Sequence, residues 1–256
     1  MLSFKDITFL EKNKKARDTQ GLFVAEGGKL FSEAPPDRIV QVLMTRKYAA
    51  EHPEVFDRIP EGCGVSADIE ESRFFSLSDT KTPQGIITVL RKMDWHFPDF
   101  SGEICPLYAI LEHVQDPGNA GTILRTGEAA GVNAVFLTEG SVDMYAPKTI
   151  RSTMGSIFRV PHFTVPSGTE LVRDMVQHGV GVYAAHLGGR AAYTDLDLRR
   201  GSAFVIGNES RGVSSELSAE CSTLIRIPMM GRVESLNAAM AAGILMFEAQ
   251  RQRRAL

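Results

Sequence analysis

The pattern of apolar and polar positions divides the chain into two halves. After residue 106, strand-like apolar runs alternate with stretches of helical periodicity. The runs fall at residues 107–111, 134–138, 181–185, 203–206 and 224–227, and the helical patterns near residues 120–130, 147–154, 169–177 and 236–253. Such alternation predicts a parallel sheet covered by helices on both faces. Ligands on such sheets bind beyond the carboxyl ends of the strands. The first half reads as a smaller α/β unit, with buried strands at 21–25, 39–44 and 86–90 and helical composition between them. The run from Met93 to Pro106 holds two prolines and a glycine and has no periodicity. It reads as a linker, which sets expected boundaries at 1–93, 94–106 and 107–256.

Composition narrows the class. Hydrophobic residues make up 43% of the chain, enough for a core in each unit. The longest apolar candidate, residues 240–247, is too short to span a bilayer. The first eighteen residues have no apolar signal core, and Cys63, Cys105 and Cys221 have neither disulfide nor zinc-motif spacing. A reducing cytoplasm is therefore expected. The histidines show no metal-ligand clustering, and no metal is expected. A formal net charge of −3 argues against coating nucleic acid by charge alone, though not against a basic face. Lys5, Lys12, Lys14, Lys15 and Arg17 stand against Asp6, Glu11 and Asp18 near the N-terminus. That local excess suits phosphate contact or an ordinary solvated helix face.

Three strand-end segments carry candidate chemistry. In the first, Asp116-Pro117-Gly118 turns the chain, Asn119 is placed to cap the next helix, and Arg125 falls in its second turn. A guanidinium there could clamp phosphate or ribose; the plain alternative is a cap and a surface arginine. In the second, an apolar strand runs into Gly207, where bare backbone can approach a ligand, and Asn208, Glu209, Ser210 and Arg211 crowd the strand end. In the third, a buried strand stops at Pro228, and Ser235 or Asn237 starts an Ala-rich helix. Its Met240, Ile244 and Phe247 form a stripe suited to core or interface. No G-x-G-x-x-G follows any strand, so a nucleotide-binding oxidoreductase lacks its phosphate loop.

Taken in order, Asn119 with Arg125, then Ile206-Gly-Asn-Glu-Ser-Arg-Gly212, then Ile227-Pro-Met with Glu234-Ser-Leu-Asn237, resemble the motifs of the SpoU/TrmH family of knotted (SPOUT-class) RNA 2′-O-ribose methyltransferases. The resemblance covers the second half, and residues 151–161 match the stretch such enzymes carry after the first motif. More weakly, residues 14–27 and 81–85 resemble the small ribosomal-protein-like domain with which many members grip RNA. Two positions depart from the usual pattern: Ala239 replaces a common serine, and Ala146 stands where many relatives have asparagine.

The resemblance implies a C-terminal α/β domain with a deep trefoil knot, a feature that periodicity cannot show. It implies S-adenosylmethionine as cofactor, lined by Leu187, Gly207, Ile227, Ser235 and Leu236, and a homodimer formed through the knotted domain. It implies structured RNA as substrate, ribosomal rather than transfer RNA, with Lys12, Lys14, Lys15, Arg17 and Arg151 as phosphate contacts. For catalysis, Arg125 would clamp phosphate and stabilise a developing alkoxide, because arginine stays protonated and is a poor base. Asn119 would position the ribose or Arg125, Glu209 would orient Arg125 or the substrate, and Asn237 would brace the motif loops. The competing readings are an RNA-binding protein of the same fold without turnover and a transfer-RNA-directed methyltransferase. Retention of Asn119, Arg125, Glu209 and Asn237 argues against the first.

Overall fold

The computed structural model describes residues 1–78 and 80–254, which form two compact units: residues 1–94 with 143–158, and residues 95–142 with 159–254. The first unit opens with α1 (Phe4–Lys12) and α2 (Lys14–Gln20). There follow β1 (Leu22–Glu26), α3 (Gly28–Glu33), β2 (Ile39–Thr45), α4 (Arg46–Glu51), β3 (Gly64–Ile69), α5 (Glu71–Leu77) and β4 (Ile86–Arg91). Ser3 and Asp6 form a reciprocal capping box that satisfies the first free N–H groups of α1. The sheet order is β1-β4-β2-β3, with β4 antiparallel to both neighbours and β2 parallel to β3. Ile7 and Leu10 of α1 and Phe74 and Leu77 of α5 pack on Val24, Leu43, Ile87 and Val89 of this sheet.

The second unit is laid out by β5 (Leu107–Leu111), α6 (Pro117–Ala130) and β6 (Ala134–Thr138), then, after α7 (Pro147–Thr153), β7 (His162–Val165) and α8 (Gly168–Gln177). It continues with β8 (Gly181–Ala185), the short β9 (Ala191–Ala192), β10 (Ser202–Ile206), α9 (Ser215–Glu220), β11 (Thr223–Arg226) and α10 (Ala238–Arg254). The strands form one parallel sheet in the order β7-β6-β5-β10-β8-β11-β9. Helix α8, with α9 against it, packs on one side, where Leu171, Val172 and Met175 meet Tyr108, Phe136, Val182 and Val205. Helices α6 and α10 pack together, and α10 packs on β10 and β5. The parallel sheet expected from the sequence is therefore present, with its strands buried through their whole length at the centre.

Two segments depart from the expected layout. The run 94–106 is not a free linker, because Phe100 is buried against Tyr108 and Phe136 and Phe97 lies edge-on to Phe136. Aromatic burial does not need periodicity, so the pattern could not reveal it. Residues 143–158, including α7, lie within the span expected for the second domain yet pack in the first unit. There Tyr145 and Phe158 lie beside Phe23, with ring centroids 4.8 and 6.4 Å away.

Candidate active site

The central strands β5, β10, β8 and β11 are neighbours and parallel, so their carboxyl ends and following loops lie along one edge of the sheet. The loop after β5 enters α6 through Asp116, whose carboxylate accepts from the Asn119 N–H at 2.8 Å, with Pro117 opening the helix. Asp116, rather than Asn119, is thus the cap. The side chain of Asn119 is left to point elsewhere, and it is buried.

That side chain ties three loops together. Asn237 caps α10: its Oδ1 accepts from the N–H groups of Ala239 at 2.9 Å and Met240 at 3.3 Å. Its Nδ2 is free to donate, and it donates to Asn119 Oδ1 at 2.8 Å. With that oxygen occupied as an acceptor, Asn119 Nδ2 donates to Glu209 Oε1 at 2.9 Å. The helix cap at one end and a carboxylate, which can only accept, at the other fix the direction of the relay. Glu209 also accepts from the N–H groups of Gln115 and Asp116, each at 3.3 Å. Burial pushes the Glu209 carboxyl up, but the bonds from Asn119 and from the N–H groups of Glu209 itself, Gln115 and Asp116 outweigh it. The group is held below the usual glutamate range and is ionised at neutral pH.

The loop after β10 is pinned at both ends. Asn208 and Gly212 exchange backbone hydrogen bonds at 3.1 and 2.9 Å, and Asn208 Nδ2 donates to the His113 carbonyl at 2.8 Å. A Cβ on Gly207 would lie 2.1 Å from the Gly212 carbonyl carbon. Gly207 is therefore required by this tight backbone turn, before any ligand is considered. Buried Glu112 accepts from the Ser214 N–H at 2.7 Å and its hydroxyl at 2.5 Å, anchoring the far side of the loop. The sequence reading missed Glu112; the signal available was a carboxylate directly after an all-apolar strand.

The loop after β8 is stitched likewise to the end of β11. The His186 N–H donates to the Ile225 carbonyl at 2.9 Å, and Arg226 Nη1 donates to the Gly189 carbonyl at 2.9 Å. A Cβ on Gly189 would lie 2.4 Å from the Ile225 carbonyl carbon. Around this bare backbone Leu187 is 71% exposed, Met230 and Val233 are exposed, and Ile227 and Leu236 are half-buried beside exposed Ser235. Apolar side chains left in solvent around closely approaching backbone suit a nucleoside-bearing ligand. Among the described residues no group of three or more His, Cys, Asp or Glu side chains is placed to hold a metal ion.

Arg125 is not drawn into the relay. It lies six residues beyond Asn119 on α6, about 120° around the helix from it. It is exposed and has no hydrogen-bond or ion-pair partner among the described residues. The expected pairing of Glu209 with Arg125 is absent, because Asn119 and two backbone N–H groups occupy that carboxylate. In the first unit Lys12, Lys14 and Lys15 are exposed and likewise unpaired. Arg17 is a correction. It is 4% exposed, its guanidinium pairs with Asp143 at 2.6 Å, and Nη1 donates to the carbonyls of Leu10 and Glu11. It has no face left for phosphate. Arg151 is half-buried in the last turn of α7.

A parallel α/β unit with polar loops cross-linked over one sheet edge, preceded by a small mixed-sheet unit, defines a two-part α/β protein with its candidate site on the larger part. The SpoU rRNA Methylase family model matches residues 106–247, and the chain belongs to that family. An MRM3-like substrate binding domain matches residues 3–88. The 23S rRNA (guanosine(2553)-2′-O)-methyltransferase RlmP of Bacillus subtilis is 32% identical over 91% of this chain and 90% of its own length. The AdoMet-bound rRNA methyltransferase of Sinorhizobium meliloti superposes with a TM-score of 0.81 at 32% identity, covering 97% of this chain and 94% of that one. The SpoU methyltransferase AviRb of Streptomyces viridochromogenes, in complex with AdoMet, gives 0.85 at 25% identity over 98% of each chain.

Proposed function

We propose that this chain transfers a methyl group from S-adenosylmethionine to a ribose 2′-hydroxyl of ribosomal RNA. The observation that carries the reading is the Asn237–Asn119–Glu209 relay, which locks the three motif loops together beside the apolar, backbone-rich loops after β8 and β11. Relatives whose names include both rRNA and 2′-O-methylation support it. Leu187, Gly207, Ile227, Ser235 and Leu236 would hold the cofactor. When bound, it supplies a methyl that is already strongly electrophilic. The remaining task falls to the protein: to bring a ribose oxygen into line and to favour loss of its proton. Asn119 and Asn237 keep the loops in register. Glu209, ionised and saturated by donors, contributes fixed negative charge and loop order rather than proton transfer. Arg125, unpaired and exposed, clamps the neighbouring phosphate and stabilises charge developing on the 2′-oxygen.

Three structural elements complete the proposal. The C-terminal part of the catalytic unit would be threaded through a loop to form the trefoil knot of the family. Two copies would pair through α10, where Met240 and Phe247 are exposed on one side of the helix and Ile244 is half-buried between them. Lys12, Lys14, Lys15 and Arg151 would meet RNA phosphates. No helix among the described residues is long and apolar enough to cross a membrane, and work on ribosomal RNA fits a cytoplasmic location.

Incubation with labelled S-adenosylmethionine and total RNA from cells deleted for the gene tests the reaction, and mapping the label identifies the nucleotide. Label on a base, or none in any RNA, defeats the reading. Arg125→Lys keeps the charge but loses the planar fork, so turnover should fall nearly as far as in Arg125→Ala while cofactor affinity holds. A near-parental rate for Arg125→Lys would remove the clamp. Light scattering should give a dimer at micromolar concentration and a monomer for Phe247→Asp; a monomeric parent excludes pairing through α10.

A further inference from the structure

The first helix carries two phenylalanines in different surroundings. The ring of Phe4 is half-buried and lies under the Arg73 guanidinium, 4.1 Å from the ring centroid. Phe9 is 53% exposed, and no ring or cation covers it among the described residues. It is not a core residue that failed to find cover, since Ile7 and Leu10 fill that role from the buried face of α1, about 100–160° around the helix from it. Lys5 lies four residues before Phe9 and Lys12 three after, so both side chains emerge within about 60° of it around the helix and about 6 Å along the axis. Both are exposed, and neither has an acidic partner. The acids nearby are engaged elsewhere: Asp6 by Ser3, Asp18 by Lys92, and Glu11 is buried. Lys14 and Lys15 extend the uncompensated charge onto α2.

We propose that Phe9, with Lys5 and Lys12 on either side, forms a nucleotide-stacking subsite for an unpaired stretch of the substrate RNA. The inference rests on the RNA-methyltransferase reading and adds to it a surface remote in sequence from the three motifs. A bare aromatic ring offers a face on which any base stacks, and flanking ammonium groups meet the phosphates on each side of that base. A protein partner would have to bury two uncompensated lysines with the ring, which is costly unless it supplies acids in matching positions. Single-stranded RNA brings the apolar face and the negative charge in one ligand.

The test uses the full chain and total RNA from cells deleted for the gene. Rates are measured against RNA concentration, and binding is measured with a single-stranded RNA dodecamer carrying 2-aminopurine. Phe9→Ala and Phe9→Leu should raise the apparent KM roughly five- to hundredfold, the worth of one base–aromatic stack, with kcat unchanged. Phe9→Trp should retain affinity and quench 2-aminopurine fluorescence at least as well as the parent. Lys5→Ala with Lys12→Ala should weaken binding and flatten its salt dependence. Parental KM and quenching in Phe9→Leu overturn the subsite. So does equal loss in Phe9→Trp, which would mean that bulk, not stacking, was sensed. A change of oligomeric state in Phe9→Ala assigns the ring to a second copy of the chain instead. If the parent quenches the probe but methylates no RNA, the enzyme reading fails while the stacking surface stands.

Discussion

Arg17 and its lysine neighbours are close in sequence and opposite in physics. Arg17 is buried with Asp143, and its remaining N–H groups satisfy helix carbonyls. Replacing it by alanine strands a largely buried carboxylate, a loss of roughly 3–5 kcal/mol. Arg17→Ala should therefore lower the thermal midpoint markedly yet leave the salt dependence of RNA binding as it is in the parent. Substituting Lys12, Lys14 or Lys15 should do the reverse: stability is untouched, and the slope of log affinity against log salt falls by about 0.7 for each single-strand phosphate no longer neutralised. Calorimetry paired with a salt titration reads both; a flattened slope in Arg17→Ala would return that residue to the RNA surface. Nothing in the local sequence separates these residues. Arg17 is singled out by a partner 126 positions away, an ion pair that only the folded chain makes. Asn119 was legible as a polar group at a strand end. Its true partners were not, because the cap it was expected to form is made by Asp116.

Among the elements, the central parallel strands were legible because burial on both faces leaves an unbroken apolar run. Of the edge strands, β1 was legible for the same reason, whereas β3 and β7 were not. β3, with Ser66 and Asp68, and β7, with His162 and Thr164, are only partly buried, so their composition reads as loop. The loop after β10 was read as a place where backbone meets ligand, whereas its glycine meets its own chain first. Gly207→Ala places a carbon 2.1 Å from the Gly212 carbonyl carbon and 2.3 Å from the Val213 nitrogen. Backbone atoms cannot move aside as the end of a flexible side chain can. The variant should lose S-adenosylmethionine binding and several degrees of thermal midpoint together, and protease should cut within residues 207–214. A variant of parental stability that has lost only cofactor affinity would restore the simpler view of Gly207 as a ligand-side gap.

At the scale of the molecule, the division into two units is not a division into two stretches of chain. The motifs and the relay all lie in the second unit, so an enzyme cut near Asp94 should, by sequence alone, keep its cofactor site. The structure gives that cut a cost. Residues 143–158 emerge from the second unit and complete the first, where Met144, Ile150, Ile157 and Phe158 are buried, Arg17 pairs with Asp143, and the Met93 N–H donates to the Tyr145 hydroxyl at 3.1 Å. A fragment of residues 95–256 keeps this segment but loses the surface that covers it. Four large apolar side chains would then face water, each giving up about 1.5–3 kcal/mol of burial. The fragment should bind a hydrophobic dye, self-associate and lack the helicity of α7. A second fragment, in which residues 143–158 are replaced by a glycine/serine linker of equal length, removes the exposed patch while leaving β5, β10, β8, β11 and the relay in place. That fragment should be monodisperse, bind S-adenosylmethionine as the full chain does, and methylate RNA poorly for want of Lys12, Lys14 and Lys15. Calorimetry on the two fragments separates the possibilities. If the simple truncation is as well behaved as the linker version, residues 143–158 do not depend on the first unit. If the linker version folds but binds no cofactor, that segment contributes to the cofactor site itself.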